Sequence, residues 1–122
     1  GGDIHAICVH LGLQERHRVR QLQLLCHLVE KEIPADAPLV VAGDFNDWRR
    51  RAGRVLDGCA GLREVHAHAG GRLVRTFPAW CPVLPLDRIY VRGARDHWPM
   101  RLGRRPWTSL SDHAPLAAEI AL

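Results

Sequence analysis

The residues Leu39-Val40-Val41-Ala42 run straight into Gly43-Asp44-Phe45-Asn46. Asp44 and Asn46 stand two positions apart, so on an extended backbone their side chains leave the chain on the same side. The carboxylate can hold a hard cation or orient a water molecule. The neutral amide can donate to a phosphoryl oxygen without adding negative charge. A second carboxylate in its place would repel an anionic ester by roughly 4 kcal/mol at about 4 Å in an effective dielectric near 20. The pair therefore suits chemistry on a phosphate ester. A strand-end turn is the other reading, since Asp and Asn are common turn formers.

Other chemistry-bearing residues lie at comparable places. His10 closes an apolar run that starts at Ile4. Asp87, in Leu86–Val91, shares a strand face with Ile89 and Val91, where a carboxylate is costly unless it is paired. Ser111-Asp112-His113-Ala114-Pro115 precedes the last apolar run. Arg49, Arg50, Arg51 and Arg54 can grip a phosphate bidentately or form a solvated face. His66 and His68 offer two metal ligands on one face of a strand, with no third in register nearby. Trp80 is a candidate substrate contact; Trp48 could stack on a base or sugar, but core packing is the favoured reading for it.

These residues need elements to position them. A short apolar run bounded by turn residues, such as 39–42, reads as a strand buried on both faces. Gly43 ends it, because glycine tolerates backbone angles and approaches closed to other residues. Residues 3–11 read as another central strand. Residues 14–32 read as a helix with a stripe at Val19, Leu22, Cys26, Val29 and Ile33, widened by Leu25 and stopped before Pro34. Strand, helix and strand in succession predict parallel pairing of the two strands, directly or about one strand between them. A short helix is expected over 50–56, a strand over 72–78 and another over 86–91. A further strand is expected within 95–103, and a final one over 116–122 that follows Pro115.

The chain has 122 residues, 47% of them hydrophobic and 25% charged, which suits one globular domain. No apolar run approaches the roughly 20 residues that span a bilayer. The net charge of +4 is compatible with an anionic substrate. Cys8, Cys26, Cys59 and Cys81 show no Cys-x-x-Cys spacing. They read as buried free thiols, which favours a reducing compartment and a cytoplasmic location.

Four motifs occur in one order: Val9-His10-Leu11, Gly43-Asp44-Phe45-Asn46, Leu86-Asp87-Arg88-Ile89-Tyr90-Val91, and Ser111-Asp112-His113-Ala114-Pro115. In these the chain resembles the endonuclease/exonuclease/phosphatase superfamily, the DNase I-like metal-dependent phosphohydrolases. The resemblance implies an α/β fold (α+β in some schemes). That fold is a DNase I-like β-sandwich with outer helices, of which this chain supplies about one sheet and its helices. It implies hydrolysis of a phosphodiester or phosphomonoester, nuclease activity included, with Mg²⁺ or Mn²⁺ as cofactor. His113, oriented by Asp87, would handle the proton of the attacking water, and Asp44 would help orient that water. His10 and Asn46 would contact the phosphoryl oxygens, with Asp112 and Asp44 near the metal. The partner would be a nucleic acid or a phospholipid or sugar-phosphate head group.

The family's first half carries an asparagine and the glutamate that is its principal metal ligand. The resemblance implies that residues 1–122 correspond to the C-terminal part, with the N-terminal half absent. Two further expectations follow. One is a catalytically incomplete fragment or an anion-binding module of the same fold. The other is self-association through a sheet face left uncovered, unless a further segment covers it.

Overall fold

The computed structural model describes residues 2–122. Strand β1 (His5–His10), helix α1 (Glu15–Glu32) and strand β2 (Leu39–Asp44) form the expected unit, with β1 and β2 adjacent and parallel. Helix α2 (Ala52–Ala60), strand β3 (Arg63–Glu64) and helix α3 (Val65–Gly70) follow. Strand β4 (Asp87–Arg92) returns antiparallel to β2 and gives a four-stranded sheet in the order β1-β2-β4-β3. Strands β5 (Asp96–Met100) and β6 (Ala117–Ala121) make a separate antiparallel pair, joined through a 3₁₀ turn at Trp107–Ser109.

One face of the large sheet is covered. Leu22, Leu25 and Val29 of α1 pack on Leu39 and Val41, and Leu56 and Ala60 of α2 close the core around Phe45 and Tyr90. The Phe45 and Tyr90 rings meet edge to face at 5.1 Å. On the opposite face Ala6, Cys8 and His10 are exposed, and Val40, Ala42 and Ile89 are half-buried. That open face ends at the residues the sequence marks for chemistry.

Several expectations change. The buried stripe of α1 runs through Arg18, Leu22, Leu25 and Val29, while Val19 faces solvent. Arg18 takes the inward place because its guanidinium donates to the carbonyls of Gly12 and Leu13. The second helix starts at Ala52 rather than 50 and runs four residues past 56 to Ala60, stopped by Gly61 in the left-handed region. Residues 72–78 are not a strand. Phe77 makes an isolated bridge to Leu84 in a segment stiffened by Pro78, Pro82 and Pro85. His66 and His68 lie on α3, not on a strand, because Glu64 caps that helix by accepting from the Ala67 amide at 2.6 Å. His66 is buried against Glu64, and the His68 ring lies 5.3 Å from that of His97, so the pair presents no shared metal-binding face.

The cysteine expectation is also corrected. Cys26 and Cys59 form a disulfide that ties α1 to α2, with Cα atoms 5.8 Å apart. Cys8 and Cys81 are free but exposed. The support that buried thiols gave to a reducing compartment is withdrawn.

The least expected feature of the core is ionic. Arg88, on the covered face of β4, donates from Nη1 to Asp47 Oδ2 at 2.9 Å and from Nη2 to the Asp47 carbonyl. The same Oδ2 accepts from the Ala52 amide at 2.7 Å and so starts α2. Both side chains are almost fully buried. Breaking a buried pair strands the remaining charge and costs about 3–5 kcal/mol. Arg88→Met should therefore lower the urea-unfolding free energy by about that amount, with the loss visible as a shifted midpoint in a far-UV circular dichroism titration.

Candidate active site

Strand register builds the site. In the parallel pair His10 stands beside Asp44, and in the antiparallel pair Asp44 stands beside Asp87. Adjacent residues in register point to the same face of a sheet, so His10, Asp44 and Asp87 form one row across three strand ends. The row lies on the open face. Gly43 makes the close approach possible. Its φ is +142°, and a Cβ there would stand 2.0 Å from the Val9 carbonyl oxygen. Only glycine fits.

The fourth group arrives from a loop. His113 Nδ1 lies 2.6 Å from Asp87 Oδ2, and His113 Nε2 lies 3.8 Å from Asp44 Oδ2. His10 Nε2 lies 3.6 Å from the same Asp44 oxygen. With Asp87 ionised, Nδ1–H is the donor, which leaves the Nε2 lone pair as the free basic site of a neutral ring. The loop is pinned by backbone bonds: the Ala114 amide donates to Thr76 O and the Ala79 amide to Asp112 O, both at 2.7 Å. The Phe77 ring lies 4.9 Å from the imidazole. A cavity of about 360 Å³ opens beside Gly43, Asp87, Ser111 and His113.

Thr76 is the residue sequence reasoning missed. It is fully buried, and its hydroxyl donates to Asp87 Oδ2 at 2.6 Å while accepting from the Asp87 amide at 3.2 Å. The available signal was Asp87 itself. A half-buried carboxylate has more acceptor sites than one imidazole fills, so a second donor was required. Asp47 and Arg88 were missed as a pair because Asp47 follows the Gly43–Asn46 motif and Arg88 lies within Leu86–Val91, and in both places the neighbouring residues drew the functional reading.

Asn46 departs from its expected geometry. Its φ of +47° ends the extended backbone, so Asp44 and Asn46 do not project as a matched pair. The Asn46 amide nitrogen of the backbone donates to Asp44 Oδ1 at 2.8 Å, and its Nδ2 donates to the Leu11 carbonyl at 2.7 Å. The side chain thus fixes the β1–α1 turn next to His10, and one Nδ2–H is left for another acceptor. Asp112 is exposed at the mouth.

Asp44, Asp87 and His113 each offer a ligand atom, and these atoms lie within 4.8 Å of one another, a group able to hold a metal ion. Asp87 Oδ2 already accepts from Thr76 and His113, so the carboxylate with more capacity for a hard cation is Asp44.

Partial burial of the His113 ring works against its protonation. The bond to Asp87 and the charges of Asp87, Asp44 and Asp112 outweigh it and hold the pKa above the ordinary imidazole value.

The endonuclease/exonuclease/phosphatase family model matches residues 2–113. The chain belongs to that family. It is 53% identical over 122 residues to YbhP of Escherichia coli (strain K12), covering all of this chain and 48% of YbhP. It thus spans about half the length of this curated relative. Among solved structures it resembles a truncated TDP2 of Caenorhabditis elegans, with a TM-score of 0.73 at 20% identity over 96% of this chain and 54% of that one. It also resembles the mannosyl-6-phosphatase Bt3783 of Bacteroides thetaiotaomicron, with a TM-score of 0.65 at 17% identity over 96% and 51% of the two chains. These likenesses show a shared DNase I-like α/β fold.

A raised pKa in the folded state has a defined sign. The stabilisation from protonated His113 is complete below the unfolded value and is lost as pH rises through the folded one. An NMR titration of the His113 ring should give a midpoint above the ordinary value of about 6.5. Asp87→Asn should bring that midpoint down, and an unchanged midpoint would contradict the coupling.

Proposed function

We propose that this protein is a phosphohydrolase whose reacting centre is the row His10, Asp44 and Asp87 together with His113. The observation that carries the reading is the relay from Thr76 through Asp87 to His113, aimed at Asp44 on the open sheet edge. Asp87 holds the imidazole in the tautomer that leaves Nε2 free. Nε2 takes the proton from an attacking water, which Asp44 orients from the other side. His10 and the remaining Nδ2–H of Asn46 donate to phosphoryl oxygens and stabilise the charge that develops there. Mg²⁺ or Mn²⁺, held through Asp44 with Asp112 beside it, would supply Lewis-acid stabilisation of the phosphoryl group.

The substrate class is a phosphodiester or phosphomonoester. The family and the fold of a mannosyl-6-phosphatase support this reading at the level of phosphoester chemistry. The second reading is binding of an anion without turnover by these 122 residues. It is favoured by one observation: Asp87 is committed to Thr76 and His113, so the donor group leaves Asp44 to carry most of any cation contact.

The test is turnover of a water-soluble phosphodiester and phosphomonoester with Mg²⁺ or Mn²⁺ added. His113→Gln should lower kcat by about 10²- to 10⁴-fold, the usual contribution of a positioned acid or base. Asp87→Asn should lower kcat with little effect on unfolding. Saturable phosphate binding with no metal-stimulated turnover in the unaltered chain would select the second reading.

A further inference from the structure

Two loops beside the site carry apolar side chains that the fold does not bury. Residues 79–83 contribute Trp80, 73% exposed, and Val83, 53% exposed. Residues 101–110 contribute Leu102 and Trp107, 41% and 38% exposed, and Leu110, 68% exposed. The loops face each other across a cavity of about 460 Å³ lined by Trp80, Pro82, Leu102, Arg104 and Trp107. The Arg104 guanidinium donates to the Trp80 carbonyl at 3.2 Å and ties one loop to the other.

This rim is joined to the reacting centre. Ala114 and Pro115 line both the rim cavity and the cavity that holds Asp87 and His113. The Ala79 amide, at the base of the first loop, donates to the Asp112 carbonyl. Whatever the rim engages is thereby placed beside His113.

The charge of the rim has one sign. Arg101, Arg104 and Arg105 lie among the apolar residues, and no Asp or Glu occurs between Asp96 and Asp112. Tryptophan and arginine side chains suit the boundary between water and lipid, where an apolar body meets a polar tip. Aliphatic residues beside them find an apolar phase below that boundary. Base stacking would use the two indoles and the arginines but gives Val83, Leu102 and Leu110 nothing to do. The aliphatic residues and the uniform positive charge together select an anionic lipid surface.

We propose that residues 79–83 and 101–110 form a peripheral membrane-docking rim. It seats the reacting centre on an anionic bilayer, with the phosphate ester of a lipid head group as substrate class. This choice of substrate rests on the phosphohydrolase reading above, whereas the docking itself does not.

The experiment is co-sedimentation of the chain with phosphatidylcholine vesicles, with and without phosphatidylglycerol, followed also by tryptophan emission. Binding should require phosphatidylglycerol, fall with added salt and shift the emission to the blue. Trp80→Ala with Trp107→Ala should weaken binding on the order of tenfold or more through lost apolar burial. Arg101→Gln should weaken it about fivefold. Arg101→Gln should keep turnover of a soluble ester, and His113→Gln should bind vesicles normally. Loss of turnover alone would therefore count against the phosphohydrolase reading and leave docking standing. Absence of vesicle binding would overturn the docking proposal. So would equal binding to neutral vesicles, or binding indifferent to the tryptophans. Preference for a single-stranded oligonucleotide over vesicles, lost in the tryptophan variant, would overturn it in favour of nucleic acid.

Discussion

The structure depends on keeping two carboxylates close together at one sheet edge. The antiparallel register of β2 and β4 sets Asp44 beside Asp87, and like charges directly opposite in a sheet are unfavourable. His113 relieves the conflict from between them, bonded to Asp87 and facing Asp44. Thr76 completes the solvation of Asp87. The backbone bonds that pin residues 76–79 against 112–114 then follow as the means of delivering His113. Removing the imidazole would leave neighbouring negative charges with one threonine hydroxyl and a few backbone donors to stabilise them.

Much of this was legible from residue patterns because the row is made by strands. The apolar run before Gly43, the run before His10 and the alternation around Asp87 each marked a strand end, and strand ends of one sheet converge. The carboxylate on an apolar face announced a partner before any partner was visible. Residues 72–78 were misread as a strand leading into a loop, since Val74, Thr76 and Phe77 are residue types that favour strands. The prolines that follow leave only the Phe77–Leu84 bridge. Thr76 stayed hidden inside that misreading. Arg18 was missed for a related reason: a stripe drawn from apolar residues alone does not include an arginine that satisfies two carbonyls at a helix start. The Cys26–Cys59 link had no sequence signal, because it depends on how α1 and α2 cross rather than on spacing.

The turn after β2 does two jobs on opposite faces of the sheet. Asp44 points to the open edge, Phe45 into the core, and Asp47 into the covered layer, where it holds Arg88 and starts α2. Asp87 and Arg88 divide the faces in the same way on β4. The row of His10, Asp44 and Asp87 and the buried ion pair are therefore adjacent in sequence and separated by the thickness of one strand. The buried pair fixes the position of β4 against α2, and through β4 it fixes Asp87.

That charged row also defines what an anionic ester would need. An arriving phosphate meets Asp44 and Asp87 at the edge and Asp112 at the mouth, with the imidazoles of His113 and His10 as the adjacent basic groups. A proton on His113 offsets part of this charge, yet the same proton occupies the lone pair a base must use. The two demands cannot both be met by one ring. Positive charge would have to come from elsewhere, and Asp44 is the carboxylate of the group with the most capacity left for a cation. A cation there would partly neutralise the carboxylates that raise the His113 pKa. The ring would then release its proton at lower pH, which on the phosphohydrolase reading would ready it to act as a base.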